Sequence, residues 1–186
     1  MKNIHPLLPA LLCALLVVSC GEKKKTVPVE EVAVTEQEDT QYQPTLAIGS
    51  EAPDFQVSDT LGLPVRLIDY RGKYAVLEFW ASWCGDCRRE TPNVQALWRD
   101  YHPKGVEFVG ISFDHDADAW RQYLSQNPFP YAQGSNLIKW KENPINEIYG
   151  LHWIPTFFLI DPEGKVVAIS LTANDLVPSL DAVVKE

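Results

Sequence analysis

Apolar positions along the chain group into short blocks whose spacing changes from block to block. Tyr74 to Trp80 (YAVLEFW) is apolar on both alternating faces except at Glu78. That pattern predicts a central strand covered on both sides. Downstream, Val94, Leu97, Trp98 and Tyr101 recur at helical spacing, with Pro92 expected to kink or restart the helix. Val106 to Phe113 is a second buried strand, and Asp114 to Gln126 a polar helix with Trp120, Tyr123 and Leu124 inward. Upstream, Thr60-Leu61-Gly62 reads as a turn and Val65 to Ile68 as a short strand. Pro128, Pro130 and Gly134 mark an irregular connection before a short helix over Asn143 to Tyr149. Pro155 then opens a strand running to Asp161. The turn Asp161-Pro162-Glu163-Gly164 leads into a hairpin partner over Lys165 to Ser170. Asn174 is placed to cap a last helix towards Val184, with Pro178 early within it. Strand, helix and strand followed by hairpin and helix predict an α/β fold: a central sheet of mixed pairing, flanked by helices.

The N-terminus has a different character. Met1-Lys2 opens a thinly basic region, and Leu7 to Val18 is mostly apolar. This run suits a signal-peptide core and is too short to span a bilayer. It ends in Val17-Val18-Ser19-Cys20-Gly21, which resembles a bacterial lipoprotein signal; the alternative is an ordinary cleaved signal. The resemblance implies that residues 1–19 are removed and that Cys20 is acylated, an anchor without a transmembrane helix. From Gly21 to Ile48 the chain is polar and acidic, with valines too scattered to form a face, and reads as a disordered tether. About 25 such residues reach roughly 85 Å at full extension. The expected organisation is therefore a signal over 1–19, a lipid-anchored tether over 20–48 and a folded domain over 49–186. The expected location is the cell envelope, facing the periplasm, with the choice between inner and outer membrane open.

Length and charge narrow the rest. At 186 residues there is room for one ordinary domain plus appendages. Sixteen basic against 25 acidic side chains give a net charge of −9, which argues against nucleic acid and against anionic lipid surfaces. Of four cysteines, Cys13 leaves with the signal and Cys20 carries lipid, so Cys84 and Cys87 remain. A bridge between them closes a loop too short to constrain an unfolded chain much, which leaves chemistry as the better reason for the pair.

With Cys84 at a helix N-terminus, exposed backbone N–H groups and the helix dipole favour a thiolate. Its pKa should fall from about 8.5 towards roughly 7 or below. Cys87 lies one turn further in, and Cβ atoms at that spacing are about 5–6 Å apart, within reach of a disulfide after small adjustments. One sulfur can attack a substrate disulfide and the other can resolve the mixed disulfide. A zinc site would need two further ligands, and the mature chain offers only His102, His115 and His152, widely spaced. No metal and no cofactor is expected. His115, in Asp114-His115-Asp116, reads as part of a solvated loop or helix start.

Phe79-Trp80-Ala81-Ser82-Trp83-Cys84-Gly85-Asp86-Cys87 resembles a thioredoxin active site, and the likeness extends through Gly72-Lys73 to Ile154-Pro155-Thr156. The subgroup it is most similar to is the TlpA/ResA-like membrane-tethered thiol-disulfide oxidoreductases. The resemblance implies a thioredoxin-like fold with an N-terminal extension and an insertion, Asp114 to Tyr149, before a cis-proline at Pro155. It also implies Cys84 as attacking and Cys87 as resolving cysteine, with Trp83, Ile154 and Pro155 bordering the substrate. The backbone of Ile154 is expected to pair with a substrate chain as an added strand. His152 is a further position for the groove, against a plain surface loop. Glu78 matches the buried acid position. Desolvation should keep it largely protonated near neutrality and ready to exchange the proton of Cys87; the alternative is a strand-end carboxylate reaching water. Glu90 matches an acid that tunes thiol protonation in ResA-like proteins, though the helix dipole alone favours an acid there.

Asp86 stands where thioredoxin has proline. A carboxylate near Cys84 disfavours its thiolate and pushes the couple towards the reducing side, nearer roughly −270 mV than −120 mV, while Arg88 and Arg89 act in the opposite sense. The implied partners are protein disulfides, with apocytochrome c among the options, an upstream thiol donor, and the membrane through Cys20; the protein is expected to act as a monomer. Two other functions compete. A thiol peroxidase shares the lead-in segment, but Ala81 stands where those enzymes place a hydroxyl residue. A non-catalytic binding module would have no need of both thiols.

Overall fold

The computed structural model describes residues 43–184. The expected signal segment, the acylation site Cys20 and most of the tether lie outside them. Seven strands form one sheet in the order β2-β1-β5-β4-β3-β6-β7. They are β1 (Gln56–Ser58), β2 (Pro64–Arg66), β3 (Tyr74–Trp80), β4 (Val106–Ser112), β5 (Ala132–Ser135), β6 (Thr156–Ile160) and β7 (Val166–Ser170). β3, β4 and β5 run parallel; β6 pairs antiparallel with β3 and β7 antiparallel with β6 on one side, and β1 pairs antiparallel with β5 and β2 antiparallel with β1 on the other. The mixed pairing expected from the order of elements is present.

The two long apolar runs became the central strands because each alternating face has its own cover. Leu77, Phe79, Val109, Ile111 and Phe158 pack on one side with Tyr149. Val76, Phe108, Phe157 and Leu159 pack on the other with Val94, Leu97, Leu176 and Leu180. Helix α1 (Gly85–Tyr101) supplies Val94, Leu97 and Tyr101 to that second side. It runs on through Pro92, so of the two expected outcomes, a kink or a restart, the restart does not occur. The missing N–H removes one intrahelical bond, and burial of the three apolar residues beyond Pro92 holds the second half on the sheet.

Other boundaries also moved. Of the expected strand over Val65–Ile68 only Val65 and Arg66 are extended, within β2 (Pro64–Arg66), and Leu67–Tyr70 winds into a 3-10 turn. β5 lies in the stretch expected to be irregular; it exists because Ala132 to Ser135 pair in register with Val109 to Ser112. Helix α2 (Ala117–Gln126) is capped by Asp116, and α3 (Pro144–Tyr149) by Asn143. Asn174 does not cap the last helix: it lies in a 3-10 turn, and α4 (Val177–Val183) starts after it with Pro178 in its first turn. The chain is laid on the domain upstream of Gly49. Thr45 donates its N–H to the Gly150 carbonyl at 3.0 Å, and Leu46 packs on the core.

Candidate active site

The cysteine pair is presented by the crossing from β3 to α1, and that crossing is clamped from beneath. Asp114, immediately beyond β4, is 1% exposed. Its carboxylate accepts the Ser82 N–H at 2.9 Å, the Ser82 hydroxyl at 2.5 Å and the Ser112 hydroxyl at 2.6 Å. The Trp83 indole donates to the Phe113 carbonyl at 3.4 Å. The segment 81–84 is thus fixed to the end of β4 through three charge-assisted bonds and an indole. The sequence reading assigned Asp114 only to a polar helix start. Its position directly after an apolar strand was the available signal, but its partner lies 32 residues away.

Cys84 is the N-cap of α1, its sulfur accepting the N–H of Cys87 at 3.1 Å. The two are joined in a disulfide, with Cα atoms 5.3 Å apart. Cys84 Sγ also stands 3.4 Å from the carbonyl oxygen of Ile154, a bond for the thiol to donate once the disulfide is reduced. The Ile154–Pro155 peptide is cis, as the resemblance implied. The two sulfurs are not equivalent. Cys87 is 1% exposed, whereas Cys84 opens onto a groove of about 400 Å³.

Trp83, Cys84, Asp86, His152, Trp153 and Ile154 line that groove, together with Trp140. Of the expected substrate-facing residues, Trp83 and Ile154 are in its wall, and His152 joins them. Pro155 faces a neighbouring recess of about 260 Å³ with Glu90 and Thr172. Trp140 was not anticipated. It comes from the segment between β5 and α3 and reaches the site by packing edge-on against Phe113, ring centroids 4.7 Å apart. Apart from being an aromatic residue in the insertion, it carries no sequence signal.

The acids divide. Glu78 is 1% exposed, in the middle of β3, and Tyr131 donates its hydroxyl to Glu78 Oε2 at 2.7 Å. Burial pushes the Glu78 carboxyl up to about 7; the Tyr131 bond pulls it down and the charge of Glu90 adds to the rise. Glu78 does not reach water at a strand end. Glu90 is engaged elsewhere: its carboxylate accepts the Ala173 N–H at 2.9 Å and the Asn93 amide at 3.3 Å, tying α1 to the turn before α4. Asp86 pairs with Arg89 on the surface of α1. His115 is exposed, in the loop before α2.

Comparison with known proteins agrees with this geometry. The family model described as AhpC/TSA family matches residues 48–169. The thiol-disulfide oxidoreductase ResA of Bacillus thuringiensis subsp. konkukian is 37% identical over 126 residues, covering 66% of this chain and 68% of ResA. ResA of Bacillus subtilis is 30% identical over 125 residues, covering 67% and 68%. Among solved structures, the thioredoxin domain of a thiol-disulfide oxidoreductase from Bacteroides vulgatus superposes with a TM-score of 0.69 at 33% identity, covering 75% of this chain and 99% of that domain. A putative thiol:disulfide interchange protein DsbE from Chlorobium tepidum gives 0.68 at 30% identity, covering 75% and 99%. The chain belongs to the AhpC/TSA family and is a thiol-disulfide oxidoreductase of thioredoxin-like fold, carrying the pair Cys84-Gly85-Asp86-Cys87.

Proposed function

We propose that this oxidoreductase reduces protein disulfides in the cell envelope, with Cys84 as the attacking sulfur, Cys87 as the resolving one and Glu78 as the proton acceptor. The observation that carries the assignment is the asymmetry of the pair: Cys84 caps the helix and lines the groove, while Cys87 is shut beneath it. In the reduced protein the helix N-terminus favours a thiolate at Cys84. That thiolate attacks a substrate disulfide, forming a Cys84–substrate bond and releasing the first substrate thiolate, which takes a proton from water. Cys87 then gives its proton to the Glu78 carboxylate and attacks Cys84 Sγ. The second substrate sulfur leaves as a thiolate. The pair has lost two electrons and the substrate has gained them.

A carboxyl that titrates at about 7 suits this role, because it is half ionised near neutrality and can both take and return a proton. Glu78 shares its strand face with Val76, which packs against α1 residues, so the acid lies on the side of the sheet that α1 covers. Glu90 is a weaker candidate for direct proton exchange, since its carboxylate is bonded to Ala173 and Asn93. Asp86 disfavours the Cys84 thiolate and so makes the pair a stronger reductant, and its pairing with Arg89 moderates that effect. Among the described residues no helix is long and apolar enough to cross a membrane. Attachment is assigned to lipid on Cys20, and a Cys20→Ser chain should fail to incorporate labelled palmitate.

The test is dithiothreitol-dependent reduction of insulin. The protein should accelerate it, Cys84→Ser should abolish the acceleration, and Cys87→Ser should accumulate mixed disulfides. Full activity in Cys84→Ser would remove the reading, and rapid hydrogen peroxide consumption would favour a thiol peroxidase instead.

A further inference from the structure

Glu78 presents a transport problem. It is sealed in the middle of β3, and in each turnover a proton taken from Cys87 must get back to water while substrate covers the groove at Cys84. The structure offers a second way out. In the sheet register Glu78 lies beside Gly110 of β4, and Gly110 beside Gln133 of β5, so the three positions form a row. Gly110 has no side chain, and a Cβ there would run into the Gln133 amide. The Gln133 amide lies over β4 in that space, and Tyr131, just ahead of β5, reaches across to Glu78 Oε2 at 2.7 Å.

Tyr131 and Gln133 also form part of the wall of a second groove, about 310 Å³, with Asp59, Leu124 and Phe129. It shares no residue with the groove at Cys84. Gln133 accepts the Trp80 indole N–H at 2.8 Å. Gln133 is only 8% exposed. The Gln133 side chain also bonds to the Tyr131 phenol, an interaction that pulls the phenol down against the rise from burial. The Tyr131 ring is held between Phe108 and Phe129, centroids 5.7 and 5.5 Å away.

We propose that Tyr131 is the positioning residue and outer proton gate of Glu78, linking the buried carboxyl to water in the groove beside Gln133. The inference rests on the reading of Glu78 as the proton acceptor for Cys87. While Glu78 is ionised, the Tyr131 hydroxyl donates to it and keeps the carboxylate available. Once Glu78 is protonated, the carboxyl proton passes to the Tyr131 oxygen as the phenol's own proton passes to groove water. Proton number is conserved, and no phenolate forms. Burial and the neighbouring Glu78 charge hold the phenol well above its usual range, which requires the two transfers to be concerted. The titratable groups around the relay are Glu90 from α1, Asp59 across the groove, and Tyr123 of α2, whose hydroxyl is bonded to Thr91. In-register neighbours from β4 and β6 are Gly110 and Phe157, neither of which titrates.

The test follows the resolving step alone. Reduced protein is mixed with an aromatic disulfide whose thiolate is coloured; the first release reports attack by Cys84 and the second reports resolution by Cys87. The wild-type second phase should show an inflection near pH 7, and Glu78→Gln should lose it. Tyr131→Phe should move the inflection upwards. If Glu78 becomes a tenfold weaker acid, its ionised fraction at pH 7 falls from about one half to about one eleventh. The second phase then slows about fivefold there and recovers by about pH 9. 3-Fluorotyrosine at position 131, a stronger donor of the same shape, should move the inflection downwards, and this arm stands even where Tyr131→Phe fails to fold. A Tyr131→Phe second phase with the wild-type inflection, whether slowed or not, overturns the proposal and leaves the Glu78 reading intact. An unchanged profile in Glu78→Gln removes both.

Discussion

Glu78→Gln weighs the buried acid directly, apart from any question of turnover. The carboxyl titrates at 4.5 as an unperturbed group and at about 7 in the fold. Between those values the native state keeps a proton that the unfolded chain has released. The native state therefore binds more protons, and stability falls as pH rises through the window. Below about 4.5 the penalty is absent, and above about 7 it is complete. A difference of about 2.5 at 1.36 kcal/mol each comes to about 3 kcal/mol. Glutamine keeps an oxygen for the Tyr131 hydroxyl, has nearly the same shape and does not titrate. Denaturant unfolding of both oxidised proteins, in which Cys84 and Cys87 cannot ionise, should be followed from about pH 4 to about pH 9. The wild type should lose about 3 kcal/mol more than Glu78→Gln across that range, with the curves diverging between about 4.5 and 7. Parallel curves would show that the carboxyl is not held away from water, and the proton-acceptor reading would lose its physical basis.

Asp114→Ala removes the acceptor of three bonds at the base of the cysteine segment. With roughly 1 kcal/mol for each, the unfolding free energy measured by denaturant titration should fall by about 3 kcal/mol, and Asp114→Asn should lose less. Trp140→Ala empties one wall of the groove. It should raise KM for a protein disulfide several-fold in steady-state assays while leaving the rate with a small aromatic disulfide within about twofold. Asp86→Asn should change stability by less than about 1 kcal/mol, because its pair with Arg89 is exposed. In the same variant Cys84 should form its thiolate at lower pH, seen by thiolate absorbance, and equilibration with glutathione should give a more oxidising potential.

What was legible before folding is what neighbours in sequence decide. Seven-residue apolar runs became β3 and β4, since only a strand covered on both faces uses such a run. Cys84 became a helix cap because the helical pattern begins directly after it, and Glu78 was conspicuous as the lone charge in a buried strand. β5 was invisible: Ala132-Gln133-Gly134-Ser135 has no apolar alternation, and its extended form comes from pairing with β4. Pro92 signalled a kink or a restart, and packing of the residues beyond it keeps the helix from restarting there.

The site divides in the same way. The sequence by itself determined the redox pair, its helix-cap setting and the presence of a buried acid, because each depends on residues within one or two turns or along one strand. Only the tertiary structure decided what those groups touch. Asp114 holds Ser82 across 32 residues, and Tyr131 reaches Glu78 across 53. Trp140 enters the groove by packing on Phe113, which lies in another segment. Such contacts depend on strand register and on an empty position such as Gly110, quantities that no local pattern encodes and that exist only once the sheet has closed.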